Sequence, residues 1–226
     1  MARRAARSTG RRNPARAAAP QTAAEPRDRI IDAVIGLIAD KGFAAVGLAE
    51  IAERAGVSPA ALRAAYDGKL GILADFARRT DEAVLAAAAA EGEGPRDRLF
   101  DVIMRRFDVL APYKAALRRL GRSAACDPLL ACALAQIGSR SQRWMHAAAG
   151  IEPGGVSGAI GVRGGVLVYA DAMHTWLDDD DVGLAKTMKR LDEGLRRGER
   201  AMRVVNDLCS ILPGFGSSRR ETRAAG

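Results

Sequence analysis

The side chains best suited to bind a ligand through charge or hydrogen bonds lie close together between residues 58 and 69. Arg63, Tyr66 and Lys69 can each donate a hydrogen bond to a phosphate oxygen. A guanidinium can also recognise guanine in the major groove of DNA. Ser58 and Pro59 precede them as the N-cap and first residue of a helix. The set favours contact with a polyanion.

Covalent and metal-dependent chemistry have little support. The sequence contains no Gly-x-Ser-x-Gly elbow, P-loop or dinucleotide-binding fingerprint. His146 and His174 are the only histidines, and none of the three cysteines forms a Cys-x-x-Cys pair. Four aspartates at 178–181 could hold a cation, but before a long helix they more often cap its N-terminus. We expect no enzyme activity, no metal and no cofactor.

Composition argues against membrane-spanning and all-β chains. Aromatic residues make up only 4% of the sequence, and its many small apolar residues favour packed helices. The longest apolar stretch, residues 156–177, is interrupted by Arg163, Asp171 and His174, which membrane spans rarely tolerate. The odd number of cysteines, with no apolar signal near Met1, favours thiols in a reducing compartment. We expect an all-α, cytoplasmic protein.

The excess of positive charge lies at the two ends of the chain. The net charge is +8, and residues 1–24 contain six arginines and no acidic residue. Residues 214–226 add three arginines against one glutamate, and the sequence between is formally neutral. An arginine-rich arm can contact phosphates or enter a narrow minor groove. The alternative is a solvated, disordered terminus.

Three helices of unequal length are predicted to position residues 58–69. Proline at a first turn, helically spaced apolar residues and glycine stops define them. Gly47 is an acceptable N-cap for the second helix. Two short helices joined by a glycine-containing turn, behind a longer helix, form the pattern of a helix-turn-helix domain. We predict these helices from Pro26 to Gly42, from Leu48 to Ala55 and from Ala60 to Tyr66.

This region resembles the DNA-binding domain of the TetR family of bacterial transcriptional regulators, over about residues 27–75. The resemblance implies a subunit with a helix-turn-helix domain followed by a helical ligand-binding and dimerisation domain. It further implies a homodimer that binds a palindromic double-stranded DNA operator, usually as a repressor. The residues that carry the resemblance are Ile31-Asp32-Ala33, Lys41-Gly42-Phe43, Glu50-Ile51-Ala52-Glu53-Arg54-Ala55-Gly56-Val57-Ser58, Leu62, Tyr66 and Lys69.

Three positions depart from the family pattern. Val46 and Gly47 stand where hydroxyl residues are common, and Arg63 stands where a tyrosine is usual. The side chain of Val46 cannot hydrogen-bond a phosphate, whereas that of Arg63 can. Apart from Arg63, the helix expected to enter the major groove is largely alanine. Direct base readout is therefore expected to be sparse, which leaves backbone contacts and DNA shape. The expected DNA-binding residues are Gly47, Ser58, Pro59, Ala60, Arg63, Tyr66 and Lys69.

The rest of the chain is predicted to stay helical to about residue 212. Further helices are expected at about 70–90, 99–111, 113–121, 127–149, 156–177 and 182–212. Glycines in the penultimate helix allow close packing, either against a second subunit or within the same one. The predicted organisation is a disordered basic arm (1–26), a helix-turn-helix domain (27–75), a ligand-binding and dimerisation domain (76–212) and a disordered tail (213–226).

Bulky side chains on the central helices are the candidates for an apolar ligand pocket, although most such residues are simply core. The run from Trp176 to Asp192 also resembles the C-terminal region of TetR-fold proteins related to the lipid-binding factor of ubiquinone biosynthesis. A lipid or isoprenoid carrier without a DNA role is therefore the alternative to a regulator that binds a small apolar ligand. The expected ligand-binding residues are Phe107, Tyr113, Trp144, Met145, Tyr169, Met173 and His174.

Overall fold

The computed structural model describes residues 25–87, 90–151 and 155–211, and every regular element in those ranges is helical. The predicted all-α class is confirmed. The arginines of residues 1–24 and the tail from 213 lie outside the described residues. The helices are α1 (Pro26–Lys41), α2 (Leu48–Ala55), α3 (Pro59–Ala65), α4 (Lys69–Leu85), α5 (Pro95–Leu110), α6 (Lys114–Cys126), α7 (Pro128–Ala148), α8 (Gly155–Asp178) and α9 (Ala185–Ile211), with a 3-10 turn at Ala111–Tyr113 between α5 and α6.

The N-terminal helices surround a small core centred on α1. Ile30, Val34 and Ile38 repeat on one face of α1 and are each 1% exposed. This face packs with α2, α4 and α6, so α1 connects the two short helices to the rest of the chain. Ile51 of α2 and Leu62 of α3 are buried in the same core. The apolar periodicity of α1 thus positions both short helices.

Helix α4 extends from the N-terminal core into the C-terminal bundle. Its N-terminal end follows α3, and along its length it packs with α1, α5 and α7. Helices α8 and α9 lie against each other, and Gly194 of α9 closely approaches Val168 of α8. None of the described helices is long and apolar enough to cross a membrane.

The glycines of α8 differ in how closely they pack within the subunit. A Cβ atom added at Gly165 would lie 2.6 Å from Cε1 of His146 on α7, too close for any side chain. One added at Gly161 would meet the Met202 side chain on α9 at 3.8 Å, while Gly164 faces open space. Close packing within the chain therefore accounts for Gly165, whereas the space around Gly161 and Gly164 would admit a Cβ atom.

Four helix ends differ from the sequence prediction by three residues or more. Helix α5 begins at Pro95 rather than residue 99, because proline fits the first turn of a helix. Helix α4 ends at Leu85 rather than residue 90, and Ala86 and Ala87 are exposed, so no packing extends it. Helix α6 continues past Gly121 to Cys126, because one helical glycine costs only about 1 kcal/mol. Helix α9 begins at Ala185 rather than residue 182, after an aspartate-rich turn.

Candidate nucleic-acid interface

A tight turn joins α2 and α3. Gly56 ends α2 in the left-handed conformation at φ 62°, where glycine has no steric penalty. The Val57 amide donates to the Ala52 carbonyl at 3.0 Å. Ser58 then caps α3, because its Oγ accepts a hydrogen bond from the Ala61 amide at 3.1 Å. The predicted N-caps Gly47 and Ser58 are both confirmed.

The surface of α3 that faces away from the core is open to solvent. Leu62 is its one buried residue and anchors the helix to the core. The N-cap of α2 is open as well, because a Cβ atom added at Gly47 would meet nothing within 4 Å. This surface is therefore accessible, and Arg63 is the only charged residue of α3. The exposed residues of α3 are Pro59, Ala60, Ala61, Arg63 and Ala64.

Arg63 forms an ion pair with a neighbouring acid. Its Nη1 lies 2.6 Å from Oδ1 of Asp67, and the two side chains are 73% and 95% exposed. Exposed pairs of this kind are weak and are screened by salt. The guanidinium can therefore exchange Asp67 for a phosphate or a guanine edge.

Tyr66 lies at the C-terminal end of α3, and its hydroxyl faces inward. The hydroxyl donates to Oδ2 of buried Asp75 at 2.5 Å, and the Arg27 guanidinium lies 5.4 Å from the ring centroid. Burial, followed by the hydrogen bond to Asp75, raises the pKa of Tyr66. Arg78 also bonds Asp75. Tyr66 therefore fixes the end of α3 to α4, and phosphate contact by its hydroxyl stays a prediction.

Lys69 holds the loop between α1 and α2. Its Nζ donates to the carbonyls of Phe43 and Val46, each at 2.9 Å, and lies 4.3 Å from the centroid of the Phe43 ring. Burial lowers the pKa of Lys69. The Val46 side chain is 3% exposed, so its apolar character suits a core position. Phosphate contact by Lys69 stays a prediction.

Ion pairs also hold α2 against α1. Lys41 pairs with Glu50, and Nη1 of Arg54 lies 2.7 Å from Oδ2 of Asp40. These four residues neutralise each other in pairs. The described part of the interface therefore carries little surplus positive charge.

The predicted ligand-binding residues fall into two groups. Phe107 is fully buried and stacks on Tyr169 and Trp176, with ring centroids 5.7 and 5.3 Å away. Met145 is also fully buried, Tyr113 packs edge-on against Phe76, and Met173 is half-buried. Trp144 and His174 are instead exposed. The structure thus brings Phe107 and Tyr169 together but leaves Trp144 and His174 on the surface.

A buried polar cluster lies beside these aromatic residues and was not predicted. Arg106 pairs with Asp81 and donates from Nε to the Tyr169 hydroxyl at 3.0 Å. Ser141 donates to Asp81 at 2.8 Å. Neither amide atom of the fully buried Gln142 has a hydrogen-bond partner among the described residues. In the sequence, Arg106 interrupts the apolar face of α5 between Ile103 and Leu110. This interruption is the signal from which a buried charge could have been predicted.

The aspartates at 178–181 run from the last residue of α8 into the turn that precedes α9. Oδ2 of buried Asp179 accepts hydrogen bonds from the amide and hydroxyl of Thr187, at 2.9 and 2.8 Å. Asp181 accepts from the Ala185 amide at 3.3 Å. Within the described ranges, no group of three or more His, Cys, Asp and Glu residues could hold a metal ion. The structure supports the capping role.

Comparison with known protein families matches the N-terminal region that contains α2 and α3. Residues 30–76 match the family described as bacterial regulatory proteins, tetR family. The crystal structure of the TetR transcriptional regulator from Nitrosomonas europaea ATCC 19718 is 22% identical, with a TM-score of 0.58 over 77% of this chain and 98% of that one. That of a TetR transcriptional regulator from Rhodococcus sp. RHA1 is 20% identical, with a TM-score of 0.57 over 76% and 95%. These structures share the fold. Among curated proteins, none matches.

Proposed function

We propose that this protein, whose residues 30–76 form a TetR-family N-terminal domain, is a regulator that binds a palindromic DNA operator as a homodimer. The observation that carries the proposal is the open surface of α3. This short helix is capped by Ser58, anchored by Leu62 and presented after a tight glycine turn. Such a helix can enter the major groove with its N-terminal residues towards the bases.

The proposed readout combines one charged contact with shape. Arg63 either recognises guanine or holds a phosphate. Ala60 and Ala64 offer methyl groups that fit beside thymine methyls, and they add no hydrogen bond. Sequence preference then depends partly on how readily the operator deforms. The arginines of residues 1–24 supply further phosphate contacts in this proposal.

The proposed dimer uses the outer surface of α8 and α9. Leu167 on α8 and Val204 on α9 are 72% and 66% exposed, although both are large apolar residues. Burying them against a second copy removes apolar surface from water. A two-fold dimer also presents two α3 helices to half-sites about one DNA turn apart.

We further propose that the protein is a repressor with no enzymatic activity and that a small apolar ligand controls it. Support comes from Phe107, Tyr169 and Met173, which lie at or beside the aromatic stack of the C-terminal bundle. Helix α4 packs with α5 and α7 of the bundle and also with α1 of the N-terminal core. A ligand that displaces α4 would therefore alter the position of the short helices.

Selection of genomic DNA fragments by the purified protein tests DNA binding without assuming a ligand. We expect one enriched palindromic motif at moderate salt. Ala60→Glu places a carboxylate on the exposed surface of α3 and should abolish the enrichment, because it repels phosphate. Ala125→Glu, at an exposed position on α6, is the matched control and should leave it unchanged. Absence of any motif would contradict the proposal.

The alternative is a lipid or isoprenoid carrier that retains the fold without a DNA role. It is favoured by the exposed surface of α3, where Arg63 is the only charged side chain and already pairs with Asp67. Mass spectrometry of the native protein separates the two functions. If lipid co-purifies and no DNA motif is enriched, the carrier function is supported and the regulator function is rejected.

A further inference from the structure

A groove separates the N-terminal helices from α7. Its volume is about 380 Å³, within the range of small-molecule sites. One wall is α4 with the adjoining Tyr66 and Arg27, and the other is α7. This α4–α7 groove is distinct from the DNA-facing surface of α3 and from the aromatic stack around Phe107. The site inferred below goes beyond the proposed function and does not depend on it.

Positive charge is in surplus in the α4–α7 groove. Asp75 is compensated by Arg78 and Arg27, and Asp81 is compensated by Arg106 behind it. Arg140 also lines the groove but has no ion pair or hydrogen bond with any residue that the structure describes. Its guanidinium therefore remains available for an anion, and a carboxylate fits its planar donors best.

Trp144 supplies an aromatic surface one helical turn from Arg140. Residues four apart lie on the same face of a helix, and both side chains line the groove. Trp144 is 59% exposed, whereas Trp176 is 2% exposed. An exposed indole beside a guanidinium suits a planar ring that carries a negative charge, since rings stack on the indole and the charge meets the guanidinium.

The facing wall leaves room for such a ring. Gly71, Ala74 and Ala77 lie along the groove side of α4 and carry little or no side chain. A Cβ atom added at Gly71 would be 3.8 Å from Cδ1 of Tyr66, an ordinary contact. A larger side chain at position 71 can therefore be accommodated at the backbone and would extend into the groove.

We propose that the α4–α7 groove binds a small aromatic carboxylate, with the ring on Trp144 and the carboxylate on Arg140. The ligand would touch both the N-terminal helices and α7. The chemistry of the groove assigns this class because it combines one unpaired guanidinium, one exposed indole and a wall of small residues.

Titration of the full chain with 2-naphthoate, followed by tryptophan fluorescence and calorimetry, tests the site without DNA. We expect saturable binding that quenches Trp144, with the quench lost in Trp144→Phe. Arg140→Ala should weaken binding at least tenfold. Arg143→Ala is the matched control, since it removes an exposed arginine of α7 that does not line the groove. The uncharged 2-naphthamide should bind at least tenfold more weakly than 2-naphthoate.

A second variant tests the location. Gly71→Leu fills the groove and should abolish 2-naphthoate binding, while Gly121→Leu on α6, where a Cβ meets nothing within 4 Å, should not. Absence of saturable binding, equal affinities of the unmodified chain and Arg140→Ala, or full binding by Gly71→Leu would overturn the proposal. Because no DNA is present, such a result leaves operator binding unaffected.

Discussion

We expect base recognition by the proposed regulator to depend most on Arg63, the charged residue of α3. Its pairing with Asp67 competes with DNA, so Asp67→Asn should free the guanidinium and raise operator affinity several-fold. Arg63→Ala should lower it. If Arg63 recognises guanine, the loss is about 1–3 kcal/mol at one base pair. If it holds a phosphate, the affinity for every DNA sequence falls by the same factor. Competition binding with a panel of single-base operator variants distinguishes these cases, and unchanged affinity in both variants would exclude a DNA role for Arg63.

Tyr66 and Asp75 link α3 to α4 through a buried hydrogen bond to a carboxylate. Tyr66→Phe removes the hydroxyl and should lower the free energy of unfolding at pH 7 by about 1.5–3 kcal/mol, the usual size for a bond to a charged group. Chemical denaturation of both proteins measures the difference. Equal stabilities at pH 7 would show that Arg27 and Arg78 alone satisfy Asp75.

The same pair predicts a pH dependence. Burial acts to raise the pKa of Asp75, but hydrogen bonds from Tyr66 and Arg78 outweigh it and hold the pKa below its usual value. Asp75 therefore stabilises the folded chain above about pH 4, its ordinary range, and loses this effect as acid protonates it. The stability difference between the native chain and Tyr66→Phe should shrink as pH falls towards 3. A difference that is constant with pH would contradict the assignment.

At the scale of an element, a buried aspartate holds the first turn of α9. Asp179→Ala removes the acceptor for both the amide and the hydroxyl of Thr187, leaving buried donors unsatisfied. The melting temperature should fall by at least about 3 °C. Asp180→Ala, at an 88% exposed neighbour, is the matched control and should change it little. Circular dichroism measures both, and equal effects would mean that the aspartates act only through their summed charge.

The sequence predicted helices well where local chemistry alone determines them. Ser58 before Pro59 set the start of α3, and the apolar repeat of α1 set its buried face. Contacts that depend on a distant partner could not be predicted in this way. Tyr66 is turned inward by Asp75 on the next helix, and Lys69 is held by carbonyls more than twenty residues earlier. Neither pairing has a local sequence signal.

At the scale of the whole molecule, the exposed apolar side chains of α8 and α9 predict a dimer. Leu167→Glu places a charge within the proposed contact and should yield a monomer at micromolar concentration. Leu129→Glu is the matched control on α7, because Leu129 is 84% exposed but lies outside α8 and α9. Light scattering measures the mass. A monomer before mutation, unchanged by operator DNA, would count against the dimer.

Charge at the molecular scale predicts a role for the N-terminal arm. The described interface has little surplus positive charge, because Lys41, Arg54 and Arg63 are each paired with an acid. The six arginines of residues 1–24 are the largest uncompensated group in the sequence. Each arginine–phosphate contact steepens the logarithmic salt dependence of binding by about 0.9. Deleting residues 1–24 should therefore weaken operator binding and flatten its salt dependence by that amount per lost contact.

Fluorescence anisotropy at a series of salt concentrations gives both the affinity and the slope for the arm deletion. A second chain, in which the six arginines are replaced by glutamine, is the control for length, since it keeps the arm and removes its charge. It should match the deletion if the arm acts through phosphate contacts. An unchanged slope in both would show that the arm makes no phosphate contact, and DNA binding would then depend on the α2–α3 region alone.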